Sequence, residues 1–152
     1  MRHATPSFRA LSALPLRAAL LTLSLAACTA AAAHEYFLPG FTLIHPWAEA
    51  TEAGATSAPV YFTVENVSAA DRLLRVVTPL AERVEIREAA ASRPALKSLP
   101  IGPGTPTSFT PGHAHLVLQG LRQPLEWGRS YGMTLMFEKA GPVQVMLSVG
   151  AH

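Results

Sequence analysis

The 152-residue sequence contains one cysteine, Cys28, which excludes both an intramolecular disulfide and a zinc site built from four thiolates. Charged residues are also scarce, at 14%, whereas hydrophobic residues make up 49%. This balance excludes a disordered chain, because disordered chains are rich in charge and poor in apolar residues. The apolar run at residues 18–27 spans about ten residues, and a membrane-spanning helix needs about 20.

The basic residues nearest the N-terminus belong to a targeting segment. Three arginines lie in the first 17 residues, no acidic residue occurs before Glu35, and alanines occupy residues 30–33. A basic start, a short apolar run and a small-residue site are typical of a secretory signal peptide, so we expect residues 1–33 to direct export to the periplasm. From His34 onward the chain carries nine of the 12 basic residues and all ten acidic residues, a net charge of −1. The overall charge of +2 therefore gives no reason to expect a nucleic-acid partner.

Two processing sites are compatible with this leader. Cleavage after Ala33 would release a protein that begins at His34. Residues 25–28, Leu-Ala-Ala-Cys, also match a bacterial lipobox, in which the cysteine becomes the lipidated first residue. Residues 1–27 would then be a lipoprotein signal and residues 29–33 a tether, and several acyl chains on Cys28 would anchor the protein to a membrane. The sequence leaves both alternatives open.

Residues 34–152 are expected to form one all-β domain. Turn-forming residues are frequent, with 13 prolines and 10 glycines in the whole chain. Alternating apolar and polar residues, rich in β-branched and aromatic side chains, predict strands at residues 41–44, 59–65, 72–78, 83–88, 115–119, 131–137 and 143–149. Short strands at this spacing predict a Greek-key β-sandwich.

The last two predicted strands form a hairpin with two methionines on its outer face. If the turn centres on Gly141, Met136 and Met146 are cross-strand neighbours. Two thioethers at that distance would suit a soft metal, and an apolar surface pair is the alternative interpretation.

A set of short motifs extends over nearly all of residues 34–152. They are His34-Glu35-Tyr36, His45-Pro46-Trp47-Ala48, residues 58–66, 71–74 and 81–86, Pro111-Gly112, and residues 115–118 and 137–141. Their combination resembles the periplasmic copper chaperones that serve cytochrome oxidase assembly, the copper(A) chaperone family. The resemblance implies a cupredoxin-like fold, copper as the metal, and a copper-receiving partner such as a respiratory oxidase or its assembly factors. It also implies a copper site of two histidines and two methionines.

The sequence departs from that family's ligand pattern at three of four positions. Arg87 stands where the first histidine belongs, the first methionine should fall near Leu96 or Ser98, and Val117 replaces the second methionine. His115 is the ligand that remains. A fixed guanidinium at position 87 would repel a copper cation.

Other histidines offer partial replacements. His113 lies two residues before His115, and on a strand both side chains would point the same way, which predicts a two-histidine site; a turn-filling role is the alternative. His34 would offer an amine and an imidazole if it were the mature N-terminus. We interpret His45 as structural and expect His152 to be disordered. A histidine-rich site without methionine suits Cu(II) or Zn(II) better than Cu(I).

No catalytic constellation accompanies these residues. The sequence has no Gly-x-Ser-x-Gly elbow, no His-Glu-x-x-His motif and no phosphate-binding glycine loop, so we expect no enzyme. Two hypotheses follow: an exported copper chaperone-like protein, or a periplasmic interaction or assembly protein on the same scaffold that does not bind metal.

Overall fold

Every regular element among the described residues of this domain is a β-strand. The computed structural model describes residues 34–89, 93–105 and 107–150. Within them lie β1 (Glu35–Leu38), β2 (Phe41–Ala48), β3 (Ser57–Glu65), β4 (Asp71–Val77), β5 (Ala81–Arg87), β6 (Leu99–Ile101), β7 (Ser108–Phe109), β8 (His115–Leu121), β9 (Ser130–Phe137) and β10 (Gly141–Val149). None of the described segments is a helix that could cross a bilayer.

The strands form one curled sheet with crossover connections. Their order is β5-β8-β3-β2-β10-β9-β4-β6, with β1 paired to β2 and β7 paired to β3. Strand β8 therefore lies between β5 and β3, and β10 lies between β2 and β9, as in Greek-key topologies. The β10–β2 pair is parallel, and the others are antiparallel. Because β4 also packs against β5, the sheet closes into a barrel-like sandwich, which confirms the all-β Greek-key prediction.

All seven predicted strands are present, and three short ones were missed. Strand β1 has four residues, β6 has three and β7 has two. Period-two alternation cannot be recognised over so few residues, and β6 has a proline at its centre.

Alternation along the strands separates the core from the outer surface. In β8, Leu116 and Leu118 are buried, whereas His115, Val117 and Gln119 are partly exposed. Because successive side chains of a strand point to opposite faces, these three residues lie together on the outside of the sheet. The core is filled by similar apolar side chains from the other strands, including Leu43, Val60, Phe62, Leu73, Leu135 and Leu147.

Strand β2 continues through His45 and Pro46 by means of a bulge. The β2–β3 register shifts between Ile44 and Trp47, and His45 has a positive φ of 48°. Proline lacks the amide N–H of a regular ladder, so a bulge is where a strand accommodates it. The predicted strand stopped at Ile44, whereas the real one extends to Ala48.

The β9–β10 turn corrects the predicted methionine pair. Met136 is opposite Pro142, and Met146 is opposite Gly132, so the two methionines are not cross-strand neighbours. The turn lies at residues 138–140, two residues before the predicted centre. Because the turn is displaced by two residues, an even number, each side chain stays on its predicted face of the hairpin. The predicted outer position of both methionines is therefore correct.

A buried carboxylate fixes this turn. Asp71, at the start of β4, accepts hydrogen bonds from the backbone N–H groups of Lys139 and Ala140, each at 2.9 Å, and from that of Arg72 at 2.7 Å. Burial raises the pKa of the Asp71 carboxyl, but these three donors outweigh burial and hold the pKa below its usual value. The carboxylate is therefore charged and ties the hairpin to β4.

Candidate metal centre

Pairing of β5 with β8 brings the expected ligand positions together. Arg87 is directly opposite His115, and Glu85 is directly opposite Val117. Leu96 forms an isolated bridge with Ile86, and its N–H donates to the Ile86 carbonyl at 2.7 Å. The fold thus gathers positions 87, 115 and 117 on one patch of the outer face, although only one of them is a histidine, whereas position 96 pairs with the buried Ile86.

His115 is oriented so that one ring nitrogen can serve a metal. Its Nδ1 lies 2.8 Å from the backbone carbonyl oxygen of His113. Since a carbonyl only accepts, Nδ1 carries a proton, so the neutral form of this imidazole has its lone pair on Nε2. A hydrogen bond of this kind fixes the orientation of a metal-binding imidazole. His115 is the predicted ligand whose local geometry suits coordination.

Aromatic rings support the His115 imidazole from the β3 side. The ring centroids of Tyr61 and His115 are 5.7 Å apart, and Tyr61 in turn packs on Trp47 at 4.7 Å. Burial, and secondarily the negative charge of Glu49, raise the pKa of the Tyr61 phenol, so that ring stays neutral. The imidazole is therefore held in one place by a packed, uncharged wall.

His113 lies in the turn before β8 rather than on the strand. Its backbone N–H donates to the Thr110 carbonyl at 2.9 Å, and its Nδ1 is 3.2 Å from the Thr110 hydroxyl. The argument that residues i and i+2 share a face applies only within a strand, so it does not place the His113 ring beside that of His115.

The two rings line neighbouring cavities. His115 lines one of about 340 Å³ together with Arg87 and Gln119. His113 lines another of about 260 Å³ together with Leu96 and other apolar side chains. Glu88 borders both cavities, but its carboxylate is paired with Arg93. A site shared by both histidines stays a prediction.

The electrostatics beside His115 are dominated by an arginine–glutamate pair. The Arg87 guanidinium donates to Glu85 Oε2 through Nη2 at 2.6 Å and through Nε at 2.9 Å, and Arg83 Nε donates to Glu85 Oε1 at 3.1 Å. Hydrogen bonds from Arg87 and then Arg83 lower the pKa of the Glu85 carboxyl. Glu85 is therefore ionised and offsets much of the repulsion that Arg87 alone would exert on a metal cation.

Sequence reasoning missed the role of Glu85. The alternation of Glu82, Glu85 and Glu88 with apolar residues indicated an ordinary solvated surface. The side chain of Glu85 is in fact only 17% exposed because two arginines enclose it. The Arg-x-Glu-x-Arg spacing of residues 83–87, which places three charged side chains on one face of a strand, is the signal that could have revealed it.

No complete metal cage accompanies His115. Across residues 34–89, 93–105 and 107–150, no group of three or more histidine, cysteine, aspartate or glutamate side chains could hold a metal ion. His34 precedes β1, where its carbonyl accepts the His45 N–H at 2.9 Å. Cys28 and His152 lie outside the described residues, so their predicted roles stay predictions.

Comparison with known proteins gives a consistent result. A family model described as lipoprotein LpqE-like matches residues 41–149. The solved copper-bound PCuAC domain from PmoF2 is 31% identical, with a TM-score of 0.68 over 78% of this chain and 99% of that one. The apo PCuAC domain from PmoF1 is 30% identical, with a TM-score of 0.68 over 78% of this chain and 100% of that one. No curated protein matches the sequence.

A more distant structure supports the fold alone. The solution structure of CuI-DR1885 from Deinococcus radiodurans is 21% identical, with a TM-score of 0.62 over 79% of this chain and 83% of that one. The cupredoxin-like architecture implied by the sequence resemblance is therefore confirmed.

Proposed function

Since this chain belongs to the family of PCuAC copper-chaperone domains matched by the LpqE-like family model, we propose that it carries copper on His115 after export and releases it by ligand exchange. The observation that carries the proposal is the hydrogen bond from His115 Nδ1–H to the His113 carbonyl at 2.8 Å. In the neutral imidazole it leaves Nε2 as the metal-binding nitrogen, held in orientation at the retained ligand position.

The donor set favours Cu(II) over Cu(I). Thioether ligands select Cu(I), whereas imidazole binds several divalent ions. Arg87 and Val117 stand where the family pattern has a histidine and a methionine, so His115 is the principal donor. The second imidazole of the proposed site is that of His113, in the turn before β8. Few donors make the site weak, and a weakly held ion exchanges readily with a recipient.

The proposed place of action is outside the cytoplasm. The basic and apolar leader at residues 1–33 supports export, and the lipobox at residues 25–28 supports anchoring through Cys28. The description of the matching family as lipoproteins also supports anchoring. The recipient would be a copper-accepting protein at the same membrane, such as a respiratory oxidase or one of its assembly factors.

A competition titration tests this proposal. The mature protein is titrated with Cu(II) and with Cu(I) against a chelator of known affinity, beside a His115→Ala variant. We expect Cu(II) to bind with a stoichiometry of one and His115→Ala to weaken it by at least about tenfold. Binding that does not change in His115→Ala would refute the assignment.

The pair formed by Arg87 and Glu85 favours a second function. A neutralised arginine directly opposite His115 fills a ligand position with a side chain that cannot bind metal. On that basis the second candidate is an interaction or assembly protein that acts through this surface without copper. If the His115→Ala variant still performs the protein's role in cells, the interaction or assembly function is favoured. If that role is lost, the copper chaperone is favoured.

A further inference from the structure

The side chain of Trp127 is held in solvent by a firmly fixed loop. The side chain is 74% exposed, whereas the neighbouring Leu125 is buried at 1%. The Leu125 N–H donates to the Thr51 hydroxyl at 2.9 Å, and the Gly128 N–H donates to the Val149 carbonyl at 2.8 Å. Both flanks of Trp127 are therefore attached to the body of the domain, so its exposure does not arise from a loose loop.

The remainder of this loop is equally constrained. The Arg129 N–H donates to the Glu126 carbonyl at 3.2 Å, and the Glu126 N–H donates to the Tyr131 hydroxyl at 3.2 Å. An exposed indole has a large apolar area that water solvates poorly. Tryptophan favours an interface where its ring contacts apolar groups and its N–H contacts water. Membrane–water interfaces provide such an environment.

The chain enters the domain from the end at which this loop lies. Strand β10 pairs with β2 at Val149 and Ala48, so the Trp127 loop sits where β2 ends. Strand β1 runs antiparallel to β2, with Glu35 opposite Ile44, and its backbone therefore approaches from the direction of Ala48. The described chain, which starts at His34, and the exposed indole are therefore on the same side of the domain along this strand direction.

The predicted tether is short enough to keep this loop at a membrane. Six residues, 29–34, separate Cys28 from β1. Fully extended, they reach about 20 Å. When Cys28 is anchored, such a link keeps the first residue of β1, Glu35, within about that distance of the lipid headgroups, so the domain meets the membrane surface often.

The charges around Trp127 do not favour a strongly anionic surface. Arg129 forms an ion pair with Glu126 at 2.7 Å, and Arg122 is exposed nearby. Glu49 and Glu52 belong to the loop after β2, which bonds to the Trp127 loop at Thr51. Attraction to lipid would therefore depend on the indole and little on headgroup charge.

We infer that the loop at residues 122–129 is a membrane-contact surface, with Trp127 seated in the bilayer interface when the chain is anchored through Cys28. This inference goes beyond the copper function and rests on the lipid anchor proposed above. It assigns an orientation: the β2–β10 end of the domain faces the lipid.

Fluorescence of the full chain from the membrane fraction tests the inference. The protein is reconstituted into phosphatidylethanolamine–phosphatidylglycerol vesicles with plain or brominated acyl chains. The chain has two tryptophans, so a Trp127→Phe variant isolates the emission of Trp47. We expect bromine to quench more than about half of the emission attributable to Trp127 and to leave that of Trp47 nearly unchanged.

Two controls make the outcome decisive. Leu74→Ala removes an apolar side chain that is 43% exposed on β4, and it should leave the quenching intact. Copper affinity should be unchanged in Trp127→Phe, which separates this test from the copper proposal. Equal Trp127 emission in both lipids would overturn the inference, as would recovery of the chain in the soluble fraction. Quenching that requires an added membrane protein would show a protein partner instead and would also overturn it.

Discussion

Arg87 of β5 and His115 of β8 are directly opposite one another in an antiparallel pair, and the Arg87 guanidinium is bound to Glu85 at 2.6 Å. Position 87, where the copper-chaperone pattern implies a ligand, thus carries an arginine whose positive charge is offset by Glu85. The β5–β8 register places positions 87, 115 and 117 side by side on the outer face of the sheet, so the side chains at these positions decide whether they can hold a metal.

Restoring two ligands should create a Cu(I) site. The double variant Arg87→His, Val117→Met places an imidazole opposite His115 and a thioether two residues along β8. Because thioether and imidazole together suit Cu(I), we expect its Cu(I) affinity to rise by at least about tenfold. Competition with a chromogenic Cu(I) chelator measures this, with folding checked by circular dichroism.

Arg83→His combined with Val117→Met is the matched control. Arg83 shares the Glu85 carboxylate with Arg87 but is opposite Gln119 instead of His115. It should gain much less affinity for Cu(I). Equal gains in the two double variants would mean that position 87 has no special relation to His115.

Removing the two outer methionines should leave copper binding unchanged. Met136 and Met146 are opposite Pro142 and Gly132, so neither is placed to share a metal with the other. We expect Met136→Leu, Met146→Leu to bind Cu(II) with wild-type affinity in the competition titration. A loss comparable to that of His115→Ala would show that a thioether takes part in the site.

Asp71→Asn should destabilise the domain. The carboxylate accepts three backbone N–H groups, and an amide offers one oxygen acceptor and a donor in its place. Hydrogen bonds to charged groups contribute about 1.5–3 kcal/mol, so we expect the free energy of unfolding to fall by about 2 kcal/mol in urea denaturation near pH 7. The control is Glu65→Gln, which replaces an exposed carboxylate and should change the free energy of unfolding little.

The stability contributed by Asp71 should depend on pH. Since the pKa of its carboxyl is lower in the folded state than in the unfolded state, the contribution is complete above the unfolded value, near 4. This contribution to stability is lost as the pH falls through the lower pKa that Asp71 has in the folded state. Wild-type stability should therefore approach that of Asp71→Asn in acid. A difference between the two proteins that stays constant from neutral to acidic pH would contradict this origin.

Gly40→Ala should be more damaging than Gly54→Ala. Both glycines have positive φ, at 95° and 85°, so alanine at either position is strained by about 1 kcal/mol or more. At Gly40 a new Cβ would also lie 2.7 Å from Ala69 Cβ, whereas at Gly54 nothing lies within 4 Å. We expect the Gly40 variant to lose about 1–3 kcal/mol more in denaturant unfolding, and equal losses would exclude the Ala69 contact as a cause.

The sequence was sufficient for most of the fold because the central strands alternate clearly. Alternation predicts Tyr131, Met133, Leu135 and Phe137 on the core face of β9; the last three are buried and Tyr131 is partly buried. The β9–β10 register was not predictable, because the contact that fixes the turn joins Asp71 to Lys139 and Ala140, almost 70 residues away. Local turn residues around Gly141 suggested a centre two residues too late.

The candidate site was predictable in position but not in electrostatics. His115 and the substitutions Arg87 and Val117 could be identified from motif spacing, and the β5–β8 register brings them together. The predicted strand begins at His115, as β8 does, so the two-histidine argument applied the rule for residues within a strand to His113, which lies in the turn before it. The ion pair that holds Arg87 could not be predicted, because its partner Glu85, on the same strand, has the pattern of an ordinary surface carboxylate.

Electron paramagnetic resonance of the mature protein with one equivalent of Cu(II) tests the central claim most directly, because coupling to imidazole nitrogen identifies the ligand. We predict coupling to imidazole nitrogen in the wild type and in Met146→Leu, and a coupling that is much weaker or absent in His115→Ala. A spectrum that is the same in His115→Ala as in the wild type would contradict the account.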